Sequence, residues 1–429
     1  MKRFLLEELK RWKSKRNRKP LILNGARQVG KTWLLREFGR TCFDSVAYIS
    51  LDNNVAARTL FDDDFDVQRI ITGLSLLADV KIEPGKTLII LDEIQSAPHA
   101  LTALKYFCEN APEYVVAAAG SLLGLTVHEG SGYPVGKVDT LELYPLNFVE
   151  FLEAAGQERL ANVVLSDDEV LINAVSDRLI SQLKTYYIIG GMPAVVSNFI
   201  QTFDFDSSRE IQSQILLDYE RDFAKHIPSA YIQRTLEVWH SIPAHLSQEN
   251  KRFVFGHIRS GARASQYDEA LLWLENAGLI YRVKRISKPA LPLGAYAEAN
   301  FYKVFLLDVG LLCAMSQLDP STILEGSTIY TEFRGAFTEQ YVCQQLISQC
   351  GLTPYYWSAD NSRGEIDFIV QRGNAIYPIE VKAEENLRAK SLRAFSQRYP
   401  QVEPIRTSLS PFRREDWMRN VPLYALHAV

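Results

Sequence analysis

The stretch Gly25-Ala-Arg-Gln-Val-Gly30-Lys31-Thr32 constrains this chain more than any other, because the spacing GxxxxGK[ST] has meaning only in one local architecture. A short apolar strand, Leu21–Leu23, precedes it, and Leu34, Leu35 and Phe38 follow at the spacing of a helix. Strand, loop and helix form a phosphate cradle. Gly25 and Gly30 let the backbone bend close to an anion, and the N–H groups along Ala26, Arg27, Gln28 and Val29 and at the helix start attract it. Lys31 is then expected to reach the β- and γ-phosphates of ATP, and Thr32 to ligate Mg²⁺.

A second motif, KTLIILDEIQ (86–95), supports the first. Leu88–Leu91 reads as a buried strand ending in Asp92-Glu93. The first acid is placed to hold Mg²⁺ and the second to orient or deprotonate an attacking water. A third strand in YVVAAAGS (114–121) ends at Ser121, either a sensor of the γ-phosphate or plain turn chemistry. VAYISLD (46–52) supplies another buried strand. Strands alternating with helical patterns predict a parallel α/β sheet with nucleotide at the strands' carboxyl ends. GLTVHEGSGYPVGKV (124–138) is glycine-rich and reads as a loop or hairpin, touching a partner or simply exposed.

The chain's 429 residues call for two or three domains. A net charge of -4 means that any nucleic-acid contact would rest on local basic patches. Five scattered cysteines without a CxxC pair read as reduced thiols of a cytoplasmic protein, not as a zinc site. MKRFLLEELKRW breaks its apolar run with charge, so no signal peptide is expected, and VVAAAGSLLGLTV (115–127) is too short for stable membrane insertion. KRWKSKRNRK (10–19) holds seven positive residues. It reads as a solvated helix end leading into the first strand, with nucleic acid or membrane phosphate as the alternative.

GARQVGKT, LDEIQ, GSLLG, PVGKV, LYPLNFVEFL (143–152) and GGMPAVV (190–196) occur in an order that resembles a large group of bacterial and archaeal AAA-type ATPases. In that group an ATPase domain is fused to a C-terminal region of unknown function, and the resemblance covers nearly the whole chain. It implies that Gly25, Gly30, Lys31, Thr32, Asp92 and Glu93 are the nucleotide residues, and that a homo-oligomer, ring or dimer, could form. It implies no biological role.

The expected domains are a P-loop ATPase domain over 1–155, a helical lid over 156–227, a winged helix over 228–300 and a nuclease-like domain over 301–429. Residues 155–225 read as amphipathic helices, interrupted by GGMPAVV. Arg221 is one of several arginines that could act across a subunit interface. RTLEVWHSIPAHL (234–246) and Ala264–Ala277 read as helices, the second ended by Gly278, and LIYRVKRIS (279–287) alternates like a strand. Helices followed by a β-wing make a winged-helix pattern, which the resembling family also has. Arg252, Arg259, Arg263, Arg282, Lys284 and Arg285 suit phosphate contacts, whereas Asp268, Glu269 and Glu275 on the recognition helix suit a protein-docking module.

GEIDFIVQRGNAIYPIEVK (364–382) reads as a hairpin turning at Gly373-Asn374, with paired residue numbers summing to 747. One face carries Ile366, Phe368, Val370, Tyr377, Ile379 and Val381; the other carries Glu365, Asp367, Glu380 and Lys382, with Ile369, Pro378 and Ile376 towards the turn. Like charges facing across a sheet need a compensating cation. D-x12-E-x-K on a hairpin resembles the core of the PD-(D/E)xK nuclease fold, which implies that Asp367 and Glu380, with Glu339 on the preceding helix, hold a second Mg²⁺ or a Mn²⁺, and that Lys382 activates water. Ile366 stands where the motif has proline. The alternative is an inert fold whose acids pair with Lys382 and arginines. The expected function is therefore Mg²⁺-dependent ATP hydrolysis coupled to a module acting on DNA, or else a nucleotide-dependent switch that binds a protein partner and cuts nothing.

Overall fold

The computed structural model describes residues 1–120, 134–166, 168–248, 251–259, 261–325, 328–359, 364–383 and 389–429. Ser121 and the stretch 124–133 lie outside the described residues. The chain forms two compact units, one of Lys2–Tyr144 with Asn276–Gly278, the other of Met1, Pro145–Glu275 and Leu279–Val429.

The first unit is built on five strands, β1 (Leu21–Asn24), β2 (Ser45–Ser50), β3 (Thr87–Asp92), β4 (Val115–Ala119) and β5 (Asp139–Glu142), in the order β2-β3-β4-β1-β5. Every neighbouring pair is parallel. The central strands are continuous apolar runs because helices cover both faces. Ile22, Ile89, Leu91, Val116 and Ala118 share a core with Ile70 and Leu74 of helix Val67–Ala78 and Leu104 and Phe107 of helix Pro98–Asn110. Leu34, Leu35 and Phe38 of helix Lys31–Cys42 are buried, and that helix lies so close to the sheet that a Cβ on Gly39 would come within 2.4 Å of Val46. Strand β5 was not among the expected strands: Asp-Thr-Leu-Glu has a single apolar residue and gives no apolar run, and it forms an edge that only β1 supports.

The basic N-terminal run is largely spent on structure. Trp12 is buried and its indole N–H donates to the Lys19 carbonyl (3.1 Å), Arg18 donates to the Pro112 carbonyl (3.0 Å), and Lys15 pairs with Asp139 (3.5 Å). Among the described residues no helix is long and apolar enough to cross a membrane.

The second unit begins with helices, Phe148–Ala154, Ser176–Ile189, Pro193–Thr202 and the long Phe205–His226. It continues through helices Ser229–Leu246 and Ala264–Asn276 into strands β6 (Ile280–Ile286) and β7 (Ala297–Leu306). Helices Val309–Met315 and Thr328–Ser348 precede β8 (Tyr355–Ser358), β9 (Glu365–Arg372) and β10 (Ala375–Val381). Helix Lys390–Arg398 and strands β11 (Ile405–Ser408), β12 (Arg413–Glu415) and β13 (Met418–Pro422) complete it. Its eight strands form one mixed sheet, β12-β13-β11-β10-β9-β8-β6-β7. The strand expected over 279–287 as a β-wing is β6, and with β7 it forms one edge of the sheet that holds β9 and β10.

Buried polar groups lock this unit together. Asp308 accepts from Gly191 N–H (2.7 Å), Leu311 N–H (3.0 Å) and the Gln344 amide (3.1 Å). Gln340 brackets Leu306, accepting from its N–H at 2.8 Å, while Gln344 accepts from Val309 N–H (2.9 Å) and Gln345 from Phe148 N–H (2.9 Å). Helix Thr328–Ser348 is therefore splined by three glutamines to the end of β7 and to two other helix starts. Gly191 also accepts from Leu146 N–H (2.7 Å), and Tyr186 donates its hydroxyl to the Leu146 carbonyl (2.5 Å). LYPLNF and GGMP, two segments of the resemblance, meet in this lock.

Candidate functional site

At the end of β1 the chain turns through Gly25 at φ 148° and Gln28 at φ 65°, and enters helix Lys31–Cys42 through Gly30 at φ 97°. A Cβ on Gly25 would fall 2.3 Å from the Leu143 carbonyl oxygen, so only glycine fits there. Gly30 offers the helix no side-chain cap, which leaves its first N–H groups directed at the loop. Lys31 is buried, its ammonium donating to the carbonyls of Gly25 and Ala26, each at 2.8 Å. Burial lowers its pKa to about 8, against the opposing charges of Glu93 and Asp92.

The other residues converge from β3. Asp92 is buried at its end, and its Oδ2 accepts from the Thr32 hydroxyl (2.8 Å) and the Tyr48 hydroxyl (2.8 Å). Glu93 takes the left-handed conformation, φ 53°, its N–H donates to Asp92 Oδ1 (3.1 Å), and its carboxylate accepts from the Gln95 amide. Asn24 Oδ1, just before the loop, is buried with no hydrogen-bond partner among the described residues. A hydroxyl beside a carboxylate, an orphaned acceptor and a cationic cradle make a donor set that fits Mg²⁺ with a phosphate chain. Tyr48 and Gln95 escaped the sequence reading. An aromatic in a buried strand reads as packing, but the Tyr48 hydroxyl is bound to Asp92 while its ring lies 3.8 Å from the Arg36 guanidinium. Burial, with the bond to Asp92, raises the Tyr48 pKa.

The hairpin has the expected register, running from Arg372 opposite Ala375 to Phe368 opposite Ile379. Its next position departs from a plain ladder, because Val381 N–H donates to Asp367 Oδ2 (2.7 Å). Both faces are covered: Ile369 and Ile376 join Leu392 and Phe395 in one core, which also takes Ile366, expected on the opposite face, where the pairing of β8 with β9 shifts register, and Phe368 lies against Phe305 (5.6 Å).

Two of the acids expected to share a metal, Glu339 and Glu380, have lysine partners instead. Glu339 Oε1 accepts from Lys251 (2.5 Å), and its Oε2 lies 3.5 Å from Lys303, which also pairs with Glu365. Glu380 turns away: its Oε1 lies 2.7 Å from Lys382, and its Oε2 accepts from Leu392 N–H (3.2 Å) in the first turn of helix Lys390–Arg398. It caps that helix from outside. Among the described residues no three His, Cys, Asp or Glu side chains are grouped so as to hold a metal ion. Burial opposes the charge of Lys303, but Glu339, Glu365 and Asp367 outweigh it and raise the Lys303 pKa. Asp367 is pushed up, first by burial and then by the charge of Glu339. Lys303 and Lys251 were missed because they belong to other segments, and the compensating cations expected here were Lys382 together with a metal or arginines.

The arginines of 252–285 are also partly committed. Arg282 pairs with Glu275, and Arg285 pairs with Glu298. Arg221 is exposed, 3.2 Å from Asp218 on its own helix.

The parallel sheet, the glycine-shaped loop and the Thr32–Asp92 contact together define a P-loop nucleotide-binding domain. Residues 17–152 match the AAA domain family. Residues 180–322 match a domain of unknown function (DUF8612), and residues 334–426 match another (DUF4143). No curated protein matches the chain. Among solved structures it is similar to the Walker-type ATPase PABY2304 of Pyrococcus abyssi, at 15% identity over 72% of this chain and 94% of that one, with a TM-score of 0.44. It is also similar to the Aeropyrum pernix ORC1 protein in complex with DNA (14% identity, 73% and 90% covered, TM-score 0.26). AMPPCP-bound DnaA from Aquifex aeolicus gives 14% identity, 63% and 86% covered, and a TM-score of 0.28.

Proposed function

We propose that the chain hydrolyses ATP with Mg²⁺ at the P-loop and uses the cycle to drive the state of its second unit. The contact between Thr32 and Asp92, 2.8 Å, carries this reading, because it sets a hydroxyl and a carboxylate side by side next to the buried Lys31. Bound Mg²⁺ would supply charge neutralisation along the phosphates, and Thr32 and Asp92 would hold it. Lys31 would leave the carbonyls of Gly25 and Ala26 for the β- and γ-phosphates. Glu93 would orient the attacking water and take its proton; Gln95, bound to that carboxylate, would hold it until the γ-phosphate arrives. Ser121 keeps its role as a γ-phosphate sensor within this proposal. Glu93→Gln is expected to retain nucleotide binding while lowering turnover about 10² to 10⁴-fold. Turnover within a few-fold of the unmodified protein would remove Glu93 from the mechanism.

For the second unit, the winged-helix and nuclease-like readings favour DNA. The second reading, a switch that binds a partner and cuts nothing, is favoured by one observation: Glu339, Glu365 and Glu380 are each paired to a lysine. Plasmid DNA incubated with Mg²⁺ or Mn²⁺ separates the two. Cleavage that Asp367→Ala/Glu380→Ala abolishes would establish the nuclease; equal, background cleavage by both proteins is expected from the switch.

A further inference from the structure

Lys303 lies on β7, 1% exposed, within a cluster of carboxylates that do not come from its own strand. Glu339 reaches it from helix Thr328–Ser348 at 3.5 Å, and Glu365 from β9 is in direct contact. Asp367 stands two residues along β9 from Glu365, with Oδ2 tied to Val381 N–H. The ring of Tyr356, on β8, lies 5.2 Å from the ammonium. An ammonium this deep is strongly unfavourable unless carboxylates surround it. Carboxylates this close repel one another unless a cation stands among them. Each half of the arrangement therefore requires the other. The glutamine spline is part of it: Gln340, next to Glu339, holds Leu306, three residues beyond Lys303 on the same strand.

We infer that Lys303 is the resident cation of this cluster, a tethered ammonium standing where a divalent ion would otherwise sit, and that it closes the site to metal. This rests on the second reading above. Without the ammonium, Glu365 would lose this lysine partner and Glu339 would keep Lys251. With the ammonium in place no three carboxylates among the described residues are grouped to hold a metal; with it gone, the surplus negative charge of Glu339, Glu365 and Asp367 would draw a hard divalent cation among them. Lys303→Met keeps the length and removes the charge.

The test is Mn²⁺ binding to the full chain without nucleotide, followed by electron paramagnetic resonance, alongside thermal melting with and without Mn²⁺. The unmodified protein is expected to show no Mn²⁺ site that Asp367→Asn removes. Lys303→Met is expected to melt lower, to gain one Mn²⁺ site at least tenfold tighter than any in the unmodified protein, and to recover melting temperature when Mn²⁺ is added. Adding Glu339→Gln should abolish the gained site. If Lys303→Met cannot fold without metal, Mn²⁺ during refolding is expected to restore it, and failure to restore it overturns the inference. So does a folded variant that binds no more Mn²⁺ than the unmodified protein. Mn²⁺-dependent DNA cleavage by the unmodified protein, lost in Asp367→Ala, would instead sink the non-cutting reading itself. The two failures are thus told apart by which protein responds to metal.

Discussion

Lys31→Ala is expected to abolish measurable ATP turnover, a loss on the order of 10² to 10³-fold from one charged donor. Ala26 and Val29 offer only backbone in its place, and Thr32 is bound to Asp92. In the free protein the ammonium sits on two carbonyls, and burial brings its pKa to about 8. A phosphate in place of those carbonyls favours the charged form. Above pH 8 the free protein therefore holds Lys31 increasingly neutral, and binding takes up a proton. Nucleotide affinity should fall by up to about tenfold per pH unit above 8 in the unmodified protein. In Lys31→Ala it should be weaker and flat with pH. Calorimetric titration across pH 7.5 to about 9.5 reads both, and an alanine variant with undiminished turnover would sink the assignment.

Gly191→Ala is expected to destabilise the second unit severely, by about 3 kcal/mol or more. The new methyl would fall 2.0 Å from the Leu146 carbonyl oxygen and 2.7 Å from its nitrogen, both backbone atoms. Retreat would break the bonds from Leu146 N–H to Gly191 and from Gly191 N–H to the buried carboxylate of Asp308. Gly156→Ala is the control, since that glycine meets nothing within 4 Å and loses only its positive φ of 72°. It should cost about 1 kcal/mol. Urea denaturation followed by circular dichroism compares the two. Equal losses would show that the lock around Asp308 does not hold the unit together.

What could be read in the sequence was whatever a few consecutive residues determine. The P-loop is such a feature, since Gly25, Gly30, Lys31 and Thr32 carry both the backbone freedom and the donors. The hairpin register is another, because Gly373-Asn374 and strict alternation leave one pairing. The unread parts depend on distant chain. Lys303 pairs with Glu339 thirty-six residues on, and Lys251 with the same acid eighty-eight residues on, so no local pattern announces either. Strand β5 is polar and held by a single neighbour, so it has no apolar signature. Alternation over 279–287 shows that β6 exists without saying which strands it joins.

That last point bears on how the chain can be divided. The two regions matched as domains of unknown function end and begin at residues 322 and 334, yet β6 and β7 belong to the first and β8 to β13 to the second. Cutting between them would sever one hydrogen-bonded sheet and expose the edges of β6 and β8 to water and to other chains. Sequence modules and the cooperative unit of folding therefore do not coincide here. Fragments made at the module boundary should aggregate, and any exchange of modules between relatives must carry the partner strands along.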